Sequence, residues 1–194
     1  MPEMRSDLPI MSFPNQPALE RWLAQQPLDS KGAWIKFAKK SSGGGGVAKS
    51  EAIDSALCYG WIDGQIDKYD SNSWLVRFTP RKARSKWSEN NRTRALELIS
   101  AGRMQAAGQA EIDKAKADGR WETAYASASK AEVPSDLTTA LEANPKAAAF
   151  FATLNSANRF AVLYRIGAVK KPETRARKIE HFVAMLERGE SIHP

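Results

Sequence analysis

The chain has 194 residues, long enough for one large domain or a domain with a substantial appendage, and able to bury most of its apolar surface without a staple. Hydrophobic residues make up 42% and charged residues 26%, an ordinary globular balance, while a single Cys58 and two histidines exclude an internal disulfide and a Cys/His structural zinc site. Lys+Arg 29 against Asp+Glu 22 leaves +7 and turns attention to anionic partners.

Residues 1–14, with Pro2, Pro9 and Pro14, read as an irregular segment. Asn15 before Pro17 caps a short helix carrying Leu19, Trp22 and Leu23. Ala33 to Lys39 alternates as a strand, and Ser41 to Gly46 breaks it with four consecutive glycines. Lys49 to Gly60 has the spacing of a helix. Trp61 to Lys68 and Trp74 to Thr79 form two strands joined by a turn-rich Tyr69 to Ser73, hence an antiparallel hairpin. From Ser88, a good N-cap, only helices follow: one to Gly102, one over about 105–118, then 135–143, 145–153, 156–167 and 173–188. Ile179, Phe182, Val183 and Leu186 give the last helix an apolar stripe. The expected fold is α+β: a small antiparallel sheet of about three strands covered by helices (15–130), then an all-helical C-terminal domain (131–194).

Three constellations bear on function. Gly43 to Ser50 lies between strand and helix and differs from a phosphate-cradling loop by Ala48, whose methyl crowds the position where glycine lets amides converge on phosphate. The hairpin, read as a regular strand pair, puts Trp61, Asp63, Gln65 and Asp67 on one face. Asp63 with Arg77 or Arg81 is then either a polar site or a cross-strand ion pair. Asp63 and Asp67 are about 13 Å apart on such a strand, too far to share a proton. Positive charge is concentrated in 77–94, net +6, and in 165–178, which includes Lys170 and has net +5. Cys58, beside Leu57 and Tyr59, reads as a small buried hydrophobe.

The succession WIKFAKKSSG, SEAIDSALCYGWIDGQID, RFTPRKARSKWSENN, AGRM, DGRW, AAAFFATL and KKPETRARKIEHFVAML resembles the bacterial YdeI/OmpD-associated, or bacteriocin-protection, family. On this chain the family's signature falls on Ala56 to Cys58, Gly60 to Gly64, Arg77 to Arg81, Trp87, Ser88, Asn91, Thr174, Arg175 and Arg177 to Ile179. The resemblance implies a link to envelope stress and to resistance against bacteriocins or antimicrobial peptides. It names no reaction. Where the family has a short, glycine-poor loop this chain has Gly43 to Gly46, which reads as an expanded loop. The family has been described as periplasmic. Here no export signal is read at the N-terminus and no stretch reaches the roughly 18 apolar residues of a membrane span, so the expected address is cytoplasmic.

The expected protein is therefore a non-enzymatic stress or protection protein that binds a small ligand or protein partner and needs no cofactor or metal. Its expected site has Trp61, Asp63 and Gln65 as one wall, Arg77 and Arg81 as the charged counterpart, and Trp87 with Asn91 at the rim. Two alternatives remain: a nucleic-acid-binding protein using 77–94 and 165–178, and a nucleotide-binding enzyme using Gly43 to Ser50.

Overall fold

The computed structural model describes residues 3–27, 29–126, 131–169 and 171–193. The chain divides into two compact units, Met1–Ala124 and Tyr125–Pro194. The boundary expected near 130 lies outside the described residues.

The first unit contains β1 (Met4–Arg5), β2 (Leu8–Met11), α1 (Gln16–Ala24), β3 (Ala33–Ala38), α2 (Lys49–Cys58), β4 (Trp61–Lys68), β5 (Ser73–Pro80), α3 (Glu89–Ser100) and α4 (Ala106–Ala117). The fold class is α+β, as expected, but the sheet has five strands in the order β1-β2-β3-β5-β4 rather than three. The two extra strands come from the segment expected to be irregular. Ser6 and Asp7, at φ 48° and 62°, turn the chain back so that Arg5 pairs with Leu8. Asp is among the few non-glycine residue types that tolerate this region. Pro9 precedes the first β2–β3 pair, Ile10 with Trp34, a position where the absent N–H is tolerated. That pairing is parallel, so the sheet is mixed and not purely antiparallel.

One face of the sheet presents Ile35, Phe37, Val76 and Phe78 to Leu19 and Leu23 of α1 and to Ala52 and Ala56 of α2. The other face carries Trp34 and Leu75 against Leu8, and the Trp34 indole donates to the Arg5 carbonyl at 3.1 Å. A further cluster joins α2, α3 and α4 around Leu57, Leu98 and Ile112, with Trp87 and Trp121 meeting edge to face at 4.9 Å. Each fully buried Leu or Ile there contributes about 1.5–3 kcal/mol. Gly60 ends α2 at φ +76°, and a Cβ there would stand 2.9 Å from the Ala107 carbonyl oxygen, so glycine is required on two grounds.

The second unit is helical: α5 (Ser135–Glu142), α6 (Pro145–Thr153), α7 (Ser156–Gly167) and α8 (Pro172–Glu187). The α8 stripe packs as its spacing predicts, with Ile179, Phe182 and Leu186 buried against Leu137, Phe151, Val162 and Ile166. Buried Asn158 holds the C-terminal segment, donating to the His193 carbonyl at 3.1 Å and accepting its amide at 2.8 Å. No helix among the described residues is long and apolar enough to cross a membrane.

Candidate functional site

A cleft of about 760 Å³ opens where β3 leaves the sheet and α2 begins. Its apolar wall is Phe37 and Trp74, ring centroids 5.2 Å apart, and the glycine run Gly43 to Gly46 forms its rim. Lys39, Lys40 and Lys49 line it, and among the described residues no carboxylate does.

Local hydrogen bonding builds this shape. The Lys39 ammonium donates to the carbonyls of Asp70 and Ser71, both at 3.0 Å, and the Ser42 hydroxyl donates to those of Lys39 and Asn72. The loop entry is therefore fastened to the β4–β5 turn. That turn is closed by the Asp70 carboxylate, which accepts from the Ser73 hydroxyl and from the amides of Asn72 and Ser73; these bonds hold its pKa below the usual carboxylate range. At the loop exit Gly46 has φ +103°, and the Val47 amide donates to the Phe13 carbonyl at 3.0 Å. The Ala48 amide is taken by the Glu51 carboxylate at 2.8 Å. A phosphate-cradling nest needs those amides turned inward, and here they are spent on the protein itself. The Lys49 ammonium instead stands 5.7 Å above the Trp74 ring, a cation–π pair on the apolar wall.

The expected hairpin wall is not assembled. Trp61 is core, edge to face with Trp22 at 5.4 Å. The β4–β5 register shifts between Asp63 and Ile66, so Asp63 pairs with Phe78 but Asp67 pairs with Leu75 on the opposite face. Strict alternation had put the two carboxylates together; the bulge at Gly64 and Gln65 separates them. Asp67 instead pairs with Arg5 at 2.6 Å. Arg77 neighbours Phe78 along β5 and therefore points away from Asp63, and among the described residues no ion pair joins the two. Gln65 is exposed on the bulge. Arg81 is buried with its guanidinium carbon 3.6 Å from the Trp87 ring centroid, and Trp87 is itself core. Asn91 sits half-buried in the first turn of α3, its amide held by the Ser88 cap at 3.1 Å.

Part of the concentrated positive charge is bonded within the protein. Arg92 donates to the Trp121 carbonyl, and Arg94 grips the Asp54 carboxylate through two nitrogens at 2.6 and 2.5 Å. Arg77, Lys82, Arg84, Lys86 and Arg94 are exposed in the first basic segment, Arg94 while paired with Asp54. In the second, Arg175 bonds Asp136 while Arg165, Lys171 and Arg177 are exposed; Lys170 lies outside the described residues. The solvent-facing charge is smaller than the net counts suggest, which weakens a phosphate-backbone surface.

A polar network invisible in the sequence ties α1, α2 and α3. Gln16 donates to the Ser55 hydroxyl at 3.0 Å, Ser55 donates to Glu20 at 2.9 Å, and Arg103 reaches Glu20 at 3.2 Å and Asp54 at 3.7 Å. Asp54 and Ser55 interrupt the apolar pattern of α2 between Ile53 and Ala56, the one signal that they face partners. Ser55 is fully enclosed, so its hydroxyl is a link in the network and not an accessible nucleophile. Burial pushes the Cys58 thiol up to about 11, the opposite of what a reactive cysteine needs.

Fold and cleft together define a protein with an α+β unit bearing a lysine-lined aromatic cleft, followed by a helical unit. The chain belongs to the family described as Domain of unknown function (DUF8412), whose model matches residues 11–111, just over half its length. Residues 130–189 match the family described as Bacteriocin-protection, YdeI or OmpD-Associated, the family the sequence motifs resemble. The cleft and the polar network lie within the first match; Thr174, Arg175 and Arg177 to Ile179 lie within the second. No curated protein and no solved structure matches the chain.

Proposed function

We propose that the protein is a bacteriocin-protection protein that works by binding, with the cleft between the glycine run and Trp74 as its ligand seat. The observation that carries this reading is the cleft itself: about 760 Å³, with an aromatic wall and three lysines unopposed by any lining carboxylate among the described residues. Small-molecule sites have this size and this mixture of apolar surface with few polar groups. The family match over 130–189 supplies the protective context. Gly45 gives a clean test, since a Cβ built there meets nothing within 4 Å and its φ lies outside the left-handed region. Gly45 lines the cleft, so Gly45→Trp sets an indole on its rim. Sensitive bacteria expressing the wild-type chain should survive a pore-forming bacteriocin better than cells carrying the empty vector, and Gly45→Trp should remove the advantage. Equal protection by both chains, or none by the wild type, would refute the proposal.

A further inference from the structure

We infer that the cleft takes a small planar anion, an aromatic ring bearing one carboxylate or phosphate, with the ring against Trp74 and the head group on Lys49 and Lys40. This rests on the cleft being the ligand seat. Three features narrow the class.

The first is charge. Lys39 already gives its ammonium to two carbonyls, so it shapes the rim, whereas Lys40 is exposed and, among the described residues, no carboxylate pairs with Lys49. Lys49 is half-buried and lies over an indole, where water screens an incoming anion less than at an open surface.

The second is shape. The wall is the half-buried Trp74 ring, packed against the 3% exposed Phe37 with centroids 5.2 Å apart, and a flat apolar group gains most from packing on such a surface. A bare inorganic anion would leave that wall wet. An uncharged ring would leave the ammonium groups without a counterpart.

The third is what the loop withholds. The Val47 amide is bonded to Phe13 and the Ala48 amide to Glu51, so two of the amides that a cradle for a chain of phosphates would use are already taken. The Glu51 carboxylate at the start of α2 stands where a phosphate-binding loop would place the anion. One negative head group suffices, and added phosphates with magnesium gain nothing.

Titration calorimetry at low salt decides between the sources and tests the class. The carboxylate arm is 2-naphthoate against 2-naphthylmethanol; the phosphate arm is AMP against adenosine and against inorganic phosphate, with magnesium-ATP as comparator. At least one of 2-naphthoate and AMP should bind, more tightly than its uncharged counterpart, and inorganic phosphate should not. Lys49→Met should weaken that binding about tenfold or more, the loss expected for one charged contact. Gly45→Trp should abolish it, and Arg84→Ser, on the exposed basic turn, should leave it unchanged. The inference falls if neither planar anion binds, if the uncharged rings bind equally well, if magnesium-ATP binds far more tightly than AMP, or if Lys49→Met and Gly45→Trp both keep wild-type affinity. The two readings fail separately. Loss of protection in Gly45→Trp with no planar anion bound overturns the ligand class alone, while cleft-blocked binding with protection intact overturns the protective role alone.

Discussion

The two units solve the same folding problem with different interiors. The helical unit closes over an aliphatic and phenylalanine core, and its charged side chains pair at the surface, as in Arg175 with Asp136 and Arg188 with Glu190. The α+β unit carries charge inward: Asp54 is buried between α2 and α3 and shared by Arg94 and Arg103. It also holds all six tryptophans, at positions 22, 34, 61, 74, 87 and 121. An apolar core tolerates a lost surface charge. An interior built on a shared carboxylate does not, because removing one member strands the others. The tryptophans also give the comparison a readout, since their emission reports the first unit alone while far-UV circular dichroism reports both.

The largest expected effect lies in the helical unit. Phe182 is 3% exposed at the centre of its core, and Phe182→Ala should cost about 3–5 kcal/mol through lost burial and the cavity left behind. In urea titrations the circular dichroism should acquire an early transition while the tryptophan emission keeps its midpoint. A matching shift in emission would mean that the two cores unfold as one, and the comparison would collapse.

Next comes Asp54→Ala, expected to cost about 2–3 kcal/mol, discounted from the fully buried case because the Arg94 side chain is 45% exposed. The loss should appear in tryptophan emission. A change below about 0.5 kcal/mol, the size typical of surface substitutions, would show that the network is a surface decoration.

These contrasts explain what could be read in advance. The helices of both units and the three central strands were legible because each has a clear period and a punctuating Gly, Pro or cap, such as Ser88 before α3 and Gly60 after α2. β1 and β2 were not, since two- and four-residue strands around Pro9 carry no period, and β3, the parallel partner of β2, lies some 20 residues away in sequence. At the site, the glycine run and Lys49 stood out. Trp74 and Phe37 became its wall only through the β3–β5 register, which pairs Phe37 with Trp74. The hairpin reading went astray at one place, the bulge at Gly64 and Gln65, because a single irregularity moves every later side chain to the other face. Arg81 looked like surface charge and proved to be buried, and Arg94 is exposed but committed to Asp54, since charge counts carry no information about burial or pairing.

The smallest expected effect tests whether surface pairing in the helical unit matters at all. Arg175 donates to both Asp136 oxygens, at 2.5 and 3.0 Å, and to the Ile166 carbonyl at 3.0 Å, so α8 is joined to the start of α5 and the end of α7. Hydrogen bonding to Arg175 holds the Asp136 carboxyl below its usual range. A carboxylate with a lowered folded-state pKa stabilises the fold at pH values above its unfolded pKa, about 3.9, and that contribution fades as pH falls through the lower folded value. Asp136→Asn removes the charge but keeps an oxygen able to accept the Leu137 amide, so the helix start is preserved. With side-chain exposures of 25% for Arg175 and 43% for Asp136, the loss at pH 7 should be under about 1 kcal/mol. The gap between wild type and variant, read by circular dichroism, should be widest at neutral pH and close as the pH falls through the lowered folded-state value and the native carboxylate protonates. A gap that persists unchanged at low pH would assign the effect to packing around Asp136, and its absence at neutral pH would place this pair among the many surface ion pairs that contribute nothing measurable.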